Sequence, residues 1–407
     1  MDLKIGLISR EYPPETATGG IGTQTFIKAH GLAAMGHEVV VISRSPDGNR
    51  SKRQDDAVRV IRIQSAAMPV FTDAAEWISH SCRVAEEIVR QHETAAFDIL
   101  DFPEWGCEGY THLLNQSEWN RIPAVIHLHG PLVMLAHTLG WPAKDTELYR
   151  TGKYMEETCL RLADAVYSSS HCSADWCATE YGMDKDRIPC LHTGINTALF
   201  YPRDIPKAAD PTIVFVGKMV SNKGVETLLE AACALQHEFA GLKLVLVGGG
   251  EEQVTARLKD RAAELGFGQS LVFTGYLLRD ELALQLSRSH IFAAPSHYEG
   301  GPGFVYLEAM ACGLPVIGCS GSGAAEVIRD GDTGFLVPPG DVPALTASLR
   351  RLLSQPQERE AMGNRARKFV TEHAESKQCI ENIANFYVQT IAAVKRQGTA
   401  SGSKAPA

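Results

Sequence analysis

The chain has 407 residues, of which 44% are hydrophobic and 21% are charged, and its formal net charge is −9. This composition supports two hydrophobic cores and argues against a largely disordered protein. The acidic charge, without a long Lys/Arg block, argues against nucleic acid as a partner, and no apolar run approaches the roughly 20 residues of a membrane-spanning helix, so we expect any membrane contact to be peripheral.

Residues 1–198 alternate short β-branched runs with longer helical stretches, such as 23–35 and 76–91. This alternation predicts βαβ units, and therefore a first domain built on a parallel sheet that helices cover on both faces. The predicted strands are 4–9, 38–43, 58–64, 99–101, 124–128, 165–168 and 188–191.

Three segments that follow predicted strands are candidate ligand contacts, because ligands of open α/β sheets bind outside the carboxyl ends of the strands. Gly19 and Gly20 end the loop after the first strand, where they either let an anion approach a helix N-terminus or form a turn. His129 follows the strand at 124–128 and is either a ligand contact or a structural histidine. Trp105 follows the strand at 99–101 and either stacks on a sugar ring or belongs to the core.

Two further features bear on where the protein acts. A basic stretch from Arg44 to Arg62 also contains three aspartates; it is either a solvated loop and strand start or a weak docking site for acidic lipid or phosphate. The ten cysteines include no Cys-x-x-Cys pair, and we interpret them as reduced residues of a cytoplasmic protein. The N-terminal apolar run has the length of a strand rather than of a signal peptide.

A proline-containing segment at 199–211 is predicted to link the first domain to a second. The rhythm of strands and helices resumes over 212–374 and predicts a second doubly wound domain. A helix over 375–397 has an apolar face; it packs on the second domain or, as we prefer, crosses back to the first, and 398–407 is expected to be a disordered tail. The predicted strands of the second domain are 212–216, 243–247, 271–273, 291–294, 315–317 and 334–337, and its helices are 224–239, 251–265, 280–287, 305–312 and 341–353.

Two loops of the second domain are typical of nucleotide contacts. Lys218 and Lys223 lie five residues apart after a predicted strand. They either stabilise the charge of a diphosphate leaving group or are solvated surface lysines. Gly249 follows the next strand, where it either lets a nucleotide approach the backbone closely or forms a turn.

Residues 295–316 combine a strand end, a glycine loop, a helix and another strand. Gly303, Phe304 and Val305 lie at the predicted start of that helix, where backbone N–H groups can bind phosphate. Glu299 precedes the loop, and Glu308 lies among apolar residues of the helix. A buried acid needs a partner, which ribose hydroxyls would provide; the alternative for both glutamates is an ordinary surface position.

The order and spacing of these motifs resemble glycosyltransferase family 4, a retaining family with the GT-B fold, in which two Rossmann-like α/β domains face each other across a cleft. The resemblance covers nearly the whole chain and is strongest over residues 214–345. Three runs carry it: Val216-Gly217-Lys218 with Lys223-Gly224, Phe273-Thr274-Gly275-Tyr276, and residues 326–341, which read EVIRDGDTGFLVPPGD.

The resemblance implies that Gly19 and Gly20 lie beside the donor phosphate and the acceptor, and that His129 contacts the transferred sugar. It also implies that Lys218 and Lys223 hold the diphosphate of the donor. The family usually has arginine where this chain has Lys218, and lysine keeps the charge but loses the two-pronged hydrogen bonding of a guanidinium group.

For residues 295–316, the resemblance implies that Gly303, Phe304 and Val305 offer backbone N–H groups to the phosphates. Glu299 would bind hydroxyls of the donor sugar, and Glu308 would bind the ribose. The family usually has seven residues between these two glutamates, whereas this chain has eight. The role of Glu299 therefore depends on a bulged loop that still delivers its carboxylate.

The implied activity is retaining transfer of a hexose from a nucleoside-diphosphate sugar to a hydroxyl acceptor, without a metal or another cofactor. The expected donor carries uridine, with guanosine left open, and the acceptor is a carbohydrate, a lipid-linked sugar or a small molecule. Two alternatives remain at this point, a catalytically inactive nucleotide-sugar-binding scaffold and a GT-B-type nucleotide-sugar epimerase.

Overall fold

A computed structural model describes residues 2–16, 19–64, 72–117 and 121–401, the last four of these as backbone alone. The chain forms two compact units, one of Met1–Thr193 with Ser376–Ala407 and one of Gly194–Glu375. The first unit therefore ends five residues before the predicted boundary at 198. The segment 199–211, predicted as a linker, belongs to the second unit, because Phe200 is fully buried in its core.

The first unit is built on a seven-stranded sheet whose strands are β1 (Lys4–Ile8), β2 (Glu38–Arg44), β3 (Ser51–Asp55), β4 (Val58–Ile63), β5 (Ile99–Pro103), β6 (Ala124–Leu128) and β7 (Ala165–Ser168). Their order is β3-β4-β2-β1-β5-β6-β7, and β3 pairs antiparallel while the other pairs are parallel. The chain thus builds the sheet in one direction after β1 and in the other direction from β5, which places a switch point between β1 and β5. The helices of this unit that precede residue 194 are α1 (Gly20–Ala34), α2 (Asp73–Thr94), α3 (Tyr110–Asn115), α4 (Leu132–Leu139), α5 (Glu147–Leu162) and α6 (His171–Tyr181).

For this sheet, one strand prediction is wrong and one observed strand is not predicted. Residues 188–191 form no strand; Cys190 makes a single bridge to Ser168, since Pro189 has no N–H to continue a ladder. The edge strand β3, with the sequence SKRQD, was not predicted, because its residues are polar and largely exposed and lack an alternating apolar face. Much of the basic stretch from Arg44 to Arg62 therefore lies in ordered strands.

The second unit contains a parallel six-stranded sheet formed by β8 (Thr212–Val216), β9 (Lys243–Val247), β10 (Leu271–Gly275), β11 (Ile291–Ala293), β12 (Val316–Cys319) and β13 (Gly334–Val337). Their order is β10-β9-β8-β11-β12-β13, which places the switch point between β8 and β11. Three of the cysteines, Cys233, Cys312 and Cys319, are buried in the core of this unit. Its helices are α7 (Val225–Cys233), α8 (Glu252–Glu264), α9 (Arg279–Arg288), α10 (Phe304–Ala311), α11 (Val342–Ser354) and α12 (Pro356–His373).

The final helix, α13 (Ser376–Ser401), packs against α1 in the first unit. A Cβ atom on Gly31 would lie 2.9 Å from Ile380 Cγ1, so glycine permits the close approach of the two helices. The helix extends four residues into the tail predicted at 398–407, and 402–407 lie outside the described residues. Within the described part of the chain, no helix combines the length and apolar character needed to cross a bilayer.

A buried polar cluster joins α13 to the sheet of the first unit. Lys28 Nζ donates to Asp101 Oδ2 at 2.6 Å, and the hydroxyl of Tyr167 donates to the same oxygen at 2.5 Å. The hydroxyl of Tyr387, on α13, also donates to Asp101 Oδ2. All four side chains are nearly inaccessible to solvent, so Asp101 is a buried carboxylate that one lysine and two tyrosines satisfy.

Candidate functional site

The loops that follow β8 and β9 in the second unit pack against each other at the carboxyl edge of the sheet. The backbone N–H of Gly217 donates to Val247 O at 3.0 Å, and that of Met219 donates to Gly249 O at 2.9 Å. A Cβ atom on Gly248 would lie 2.2 Å from Gly217 O, so this contact requires glycine. Lys218 and Gly249 are exposed at this edge, and the space around Gly249 leaves its backbone open to a ligand.

Lys223 and Glu299 form an ion pair at the switch point of the same sheet. Lys223 Nζ donates to Glu299 Oε1 at 2.7 Å, and the side chains are 28% and 15% exposed. The loops that carry them are joined by the N–H of His297, which donates to Asn222 O at 2.9 Å. The extra residue between Glu299 and Glu308 therefore does not withdraw the carboxylate of Glu299 from the lysine loop.

Close backbone contacts fix the loop between Glu299 and α10. The N–H of Gly323 donates to Glu299 O at 3.0 Å, and a Cβ atom on Gly323 would lie 1.9 Å from Gly301 O. Gly303 has φ +64° and is the N-cap of α10, where no side chain of the described residues caps the helix. Phe304 and Val305 follow as its first two residues, so the helix N-terminus lies beside Glu299, whose Cδ is 3.9 Å from a Cβ position on Gly303.

Glu308 lies one turn further along α10 and is bound to a residue that the sequence analysis did not single out. The residue is 5% exposed, and its Oε1 atom lies 3.2 Å from Arg279 Nη2 at the start of α9. Burial raises the pKa of Glu308, and the nearby guanidinium group opposes this shift. The guanidinium group of Arg279 also lies 5.0 Å above the ring of Phe200. The position of Arg279 just after β10, at the ligand-binding edge of the sheet, is the signal that would have identified it.

In the first unit, Gly19 and Gly20 mark the start of α1, as the sequence analysis predicts. Gly19 is the N-cap and its Cβ position lies 3.1 Å from Glu11 Oε2, whereas Gly20 faces open space. The carboxylate of Glu11 therefore lies beside the N-terminus of α1, where the helix dipole favours a negative charge.

His129 lies at the carboxyl end of β6 and is held by a buried glutamate. Glu104 Oε1 accepts hydrogen bonds from the backbone N–H groups of His129 at 2.7 Å and Gly130 at 2.5 Å. The ring of His129 packs 3.9 Å from that of His127. Burial lowers the pKa of His129 to about 3, so its ring is neutral near pH 7. Its Nδ1 atom is buried and has no hydrogen-bond partner among the described residues, so the hydrogen-bonding capacity of this nitrogen is unused.

The carboxyl group of Glu104 makes this arrangement pH-dependent. Burial raises its pKa from 4.5 to about 7, against the effect of backbone hydrogen bonds that include those from His129 and Gly130. Between these pH values the folded protein keeps the proton and the unfolded chain loses it, so the stabilisation from Glu104 is complete below about pH 4.5 and is lost as the pH rises through 7.

Glu104→Gln stays neutral at every pH, and we expect its stability relative to the wild type to rise by about 1–3 kcal/mol between pH 5 and pH 8. The measurement is urea unfolding followed by tryptophan fluorescence, since all five tryptophans lie within residues 1–193. Burial, together with the charge of Glu104, raises the pKa of Glu156 to about 8, so the difference between the two proteins includes the coupling of these two carboxyl groups. If the difference in the free energy of unfolding between Glu104→Gln and the wild type stays constant from pH 5 to pH 8, the raised pKa of Glu104 is contradicted.

Trp105 is half-buried between two other indoles. Its ring centroid lies 5.7 Å from that of Trp77 and 6.4 Å from that of Trp141. Trp105 therefore contributes to the core on one side and lines a cavity on the other. Among the residues that the structure describes, no group of three or more His, Cys, Asp or Glu side chains is arranged to hold a metal ion.

Comparison with known proteins covers both units. Residues 18–199 match the family model described as Glycosyltransferase Family 4, and residues 201–369 match that of Glycosyl transferases group 1. The chain is 30% identical over 277 residues to the GDP-mannose-dependent alpha-(1-6)-phosphatidylinositol monomannoside mannosyltransferase of Mycolicibacterium smegmatis, which covers 61% of this chain and 70% of that protein. It is 26% identical over 384 residues to a glycogen synthase of Mycobacterium tuberculosis, covering 91% and 90% of the two chains.

A solved structure has the same fold over nearly the whole chain. Sucrose-phosphate synthase from Thermosynechococcus elongatus superposes with a TM-score of 0.81 at 24% identity, covering 96% of this chain and all of that one. This similarity shows the GT-B architecture that the sequence analysis predicts. The two matched segments contain all the candidate residues, with Gly19, Gly20, Trp105 and His129 in the first and the lysines, glutamates and remaining glycines in the second.

Proposed function

The chain belongs to glycosyltransferase family 4 and is a glycosyltransferase, and we propose that it transfers a hexose from a nucleoside-diphosphate sugar to an acceptor hydroxyl with retention of configuration. The observation that carries this proposal is the Lys223–Glu299 pair at the switch point of the second sheet. It lies beside the N-terminus of α10, which carries no side-chain cap in the described structure. Cation, carboxylate and helix N-terminus together can bind an anionic diphosphate and the hydroxyls of the sugar attached to it.

The second unit carries the groups expected to stabilise the leaving nucleotide. We assign Lys223 and Lys218 to the diphosphate, Lys223 from a position fixed by Glu299 and Lys218 from an exposed position after β8. The N-terminus of α10, at Phe304 and Val305, adds the positive end of a helix dipole. These groups would supply the charge stabilisation that a metal ion supplies in other enzymes, so we propose that the reaction needs no metal.

Retention is proposed to follow from front-side attack. The bond between the anomeric carbon and the phosphate oxygen breaks, the acceptor oxygen bonds to that carbon on the same face, and the acceptor proton passes to the departing phosphate. Glu299 is paired with a lysine at 2.7 Å, which suits a carboxylate that positions sugar hydroxyls better than one that attacks carbon. The neutral ring of His129 is assigned to a hydroxyl of the transferred sugar.

The test of the donor site is isothermal titration of uridine and guanosine diphosphates and their hexose derivatives. We expect selective binding of one nucleotide and a loss of about tenfold to 100-fold in affinity for Glu308→Ala, because a charge-assisted hydrogen bond to the ribose is removed. Glu308→Gln keeps a hydrogen-bond acceptor without the charge and should lose less. An unchanged affinity in Glu308→Ala would contradict the role of Glu308.

Activity assays then distinguish glycosyl transfer from epimerase activity and from nucleotide binding without catalysis. A glycosyltransferase consumes the donor rapidly when an acceptor is present and slowly without one, because water is a poor substitute for the acceptor. Turnover that is independent of acceptor and yields an isomeric sugar would favour the epimerase. Nucleotide binding without turnover of any donor would favour an inactive binding protein.

A further inference from the structure

A second buried histidine, His127, lies in β6 two positions before His129. Side chains two positions apart along a strand lie on the same face of the sheet, and the ring centroids of the two histidines are 3.9 Å apart. On the neighbouring strand, the ring of Tyr167 stacks on His127 at 4.2 Å, with an angle of 13° between the planes. His127 is inaccessible to solvent, so we assign it no direct contact with a substrate, but its ring forms part of the surface against which His129 packs.

Lys28, on α1, binds one nitrogen of the His127 ring. Its Nζ atom lies 3.3 Å from His127 Nδ1, 2.9 Å from the hydroxyl oxygen of Tyr167 and 2.6 Å from Asp101 Oδ2. An ammonium group has three hydrogens and no acceptor, so these three atoms accept one hydrogen each. His127 Nδ1 is therefore an acceptor and carries no proton.

The contacts of the other ring nitrogen require the same tautomer. His127 Nε2 lies 2.8 Å from Ser169 Oγ, and the hydroxyl of Ser169 donates to Gln24 Oε1 at 3.0 Å. Because a hydroxyl group has one hydrogen, Ser169 accepts from His127, and the imidazole proton is on Nε2. Burial lowers the pKa of His127 well below its ordinary value, so the ring is neutral and has a single N–H group. The hydrogen bonds thus run in one direction, from Lys28 through His127 to Gln24.

The ring of His129 is positioned by packing rather than by a hydrogen bond to its Nδ1 atom. Glu104 accepts a hydrogen bond from the backbone of His129 and not from its ring, and Nδ1 has no partner among the residues that the structure describes. The orientation of this ring therefore depends on its neighbours, and the orientation of His127 is fixed at both nitrogens. Such errors are costly at a reacting centre, since a displacement of about 1 Å can lower the rate about 100-fold.

We propose that His127 is a positioning residue of the transfer reaction, and that it holds the ring of His129 in the orientation in which that ring meets the transferred sugar. Lys28 and Ser169 act through His127, because their hydrogen bonds fix its tautomer and the plane of its ring. This inference rests on the proposed function, since the contact of His129 with the sugar is part of that proposal. It adds a buried set of side chains that affects the reaction without touching the substrate.

The test is a double-mutant cycle of His127→Ala and His129→Ala in the full chain. The reaction followed is the release of nucleoside diphosphate from saturating UDP-glucose or GDP-mannose, in water alone and with maltotriose or methyl α-mannopyranoside as the acceptor. We expect His127→Ala to lower kcat by about 10–100-fold, with little change in the affinity for the nucleotide, which is assigned to the second unit. Added to His129→Ala, the same change should have no further effect, because a residue that acts only through His129 then has nothing to position.

Two further variants separate positioning from stability. Ser169→Ala removes the acceptor of His127 Nε2 but leaves both rings in place, so it tests the proposal even if His127→Ala folds poorly; we expect it to lower kcat by about 2–10-fold. His112→Ala is the matched control, because His112 is another buried histidine of the first unit, on α3. It should lower the midpoint of urea unfolding and leave kcat unchanged.

The outcomes distinguish this inference from the proposed function. Additive effects of His127→Ala and His129→Ala, or an unchanged kcat in His127→Ala, would overturn the inference and leave the transferase function in place. A loss of kcat in His112→Ala as large as that in His127→Ala would also overturn it, because the loss would then reflect stability alone. If the wild type binds no nucleotide and releases none from either donor, the proposed function itself fails, and the inference fails with it.

Discussion

Lys223→Ala is expected to lower kcat by about 10²–10³-fold, with a smaller change in the affinity for the nucleotide. Catalysis depends on groups placed where charge develops, and in the proposed reaction that charge develops on the departing diphosphate. Lys223 is held in place by Glu299 at 2.7 Å and by the hydrogen bond between the backbones of Asn222 and His297. The measurement is steady-state transfer with a saturating donor, once the donor and acceptor have been identified.

Two controls separate charge from structure in this experiment. Lys223→Arg keeps the charge and should retain more activity than Lys223→Ala, and Lys368→Ala, at an exposed position on α12, should retain all of it. The pair with Glu299 adds a further expectation. Because the two residues contact each other, the effects of Lys223→Ala and Glu299→Gln should not be additive. Full activity in Lys223→Ala would exclude this lysine from the leaving-group site.

The largest effect on stability is expected for Asp101→Ala. The change removes the acceptor for Tyr167 and Tyr387 and leaves the ammonium group of Lys28 buried without its counter-ion. Breaking a buried ion pair by removing one partner costs about 3–5 kcal/mol. Burial already lowers the pKa of Lys28, and without Asp101 we expect this lysine to lose its proton or the first unit to open. The midpoint of urea unfolding by tryptophan fluorescence measures the loss.

The control for Asp101→Ala is a variant that breaks an ion pair on the surface. Glu157 and Arg161 on α5 form an exposed pair, and Glu157→Ala should cost no more than about 0.5 kcal/mol. Asp101→Asn keeps an oxygen acceptor and should fall between the two variants. Equal losses for Asp101→Ala and Glu157→Ala would mean that the buried cluster contributes little to the stability of the first unit.

The sequence predicts the elements of this protein well where the apolar residues are periodic. The strands next to both switch points were identified from their β-branched runs, and the glycine loops that follow them from the residues alone. The prediction of strands fails where the local sequence has no apolar pattern that indicates one. The edge strand β3 is polar, and its partner β4 supplies the pairing that its own sequence does not indicate.

The details of the candidate site depend on contacts that no local pattern encodes. Arg279 and Glu308 come from different helices, and their pairing depends on how α9 and α10 are placed beside each other on the sheet. The same is true of Trp141, whose neighbour Trp105 lies 36 positions earlier in the chain. The extra residue after Glu299 was visible in the sequence, but its consequence was not, because the contact of Gly301 with Gly323 fixes the path of the loop.

The path of the chain has a consequence for biosynthesis. The chain leaves the first unit after Thr193 and returns to it at Ser376. About 180 residues of the second unit are therefore translated before α13, the last helix of the first unit. At about 5–20 residues per second, the ribosome needs roughly 10–40 s for this segment. During that time Asp101 lacks Tyr387, and the apolar surface that will receive Ile380 and Ile383 is uncovered. The second unit is contiguous and can finish folding first, so the first unit is the part of the newly made chain that exposes apolar surface until synthesis is complete.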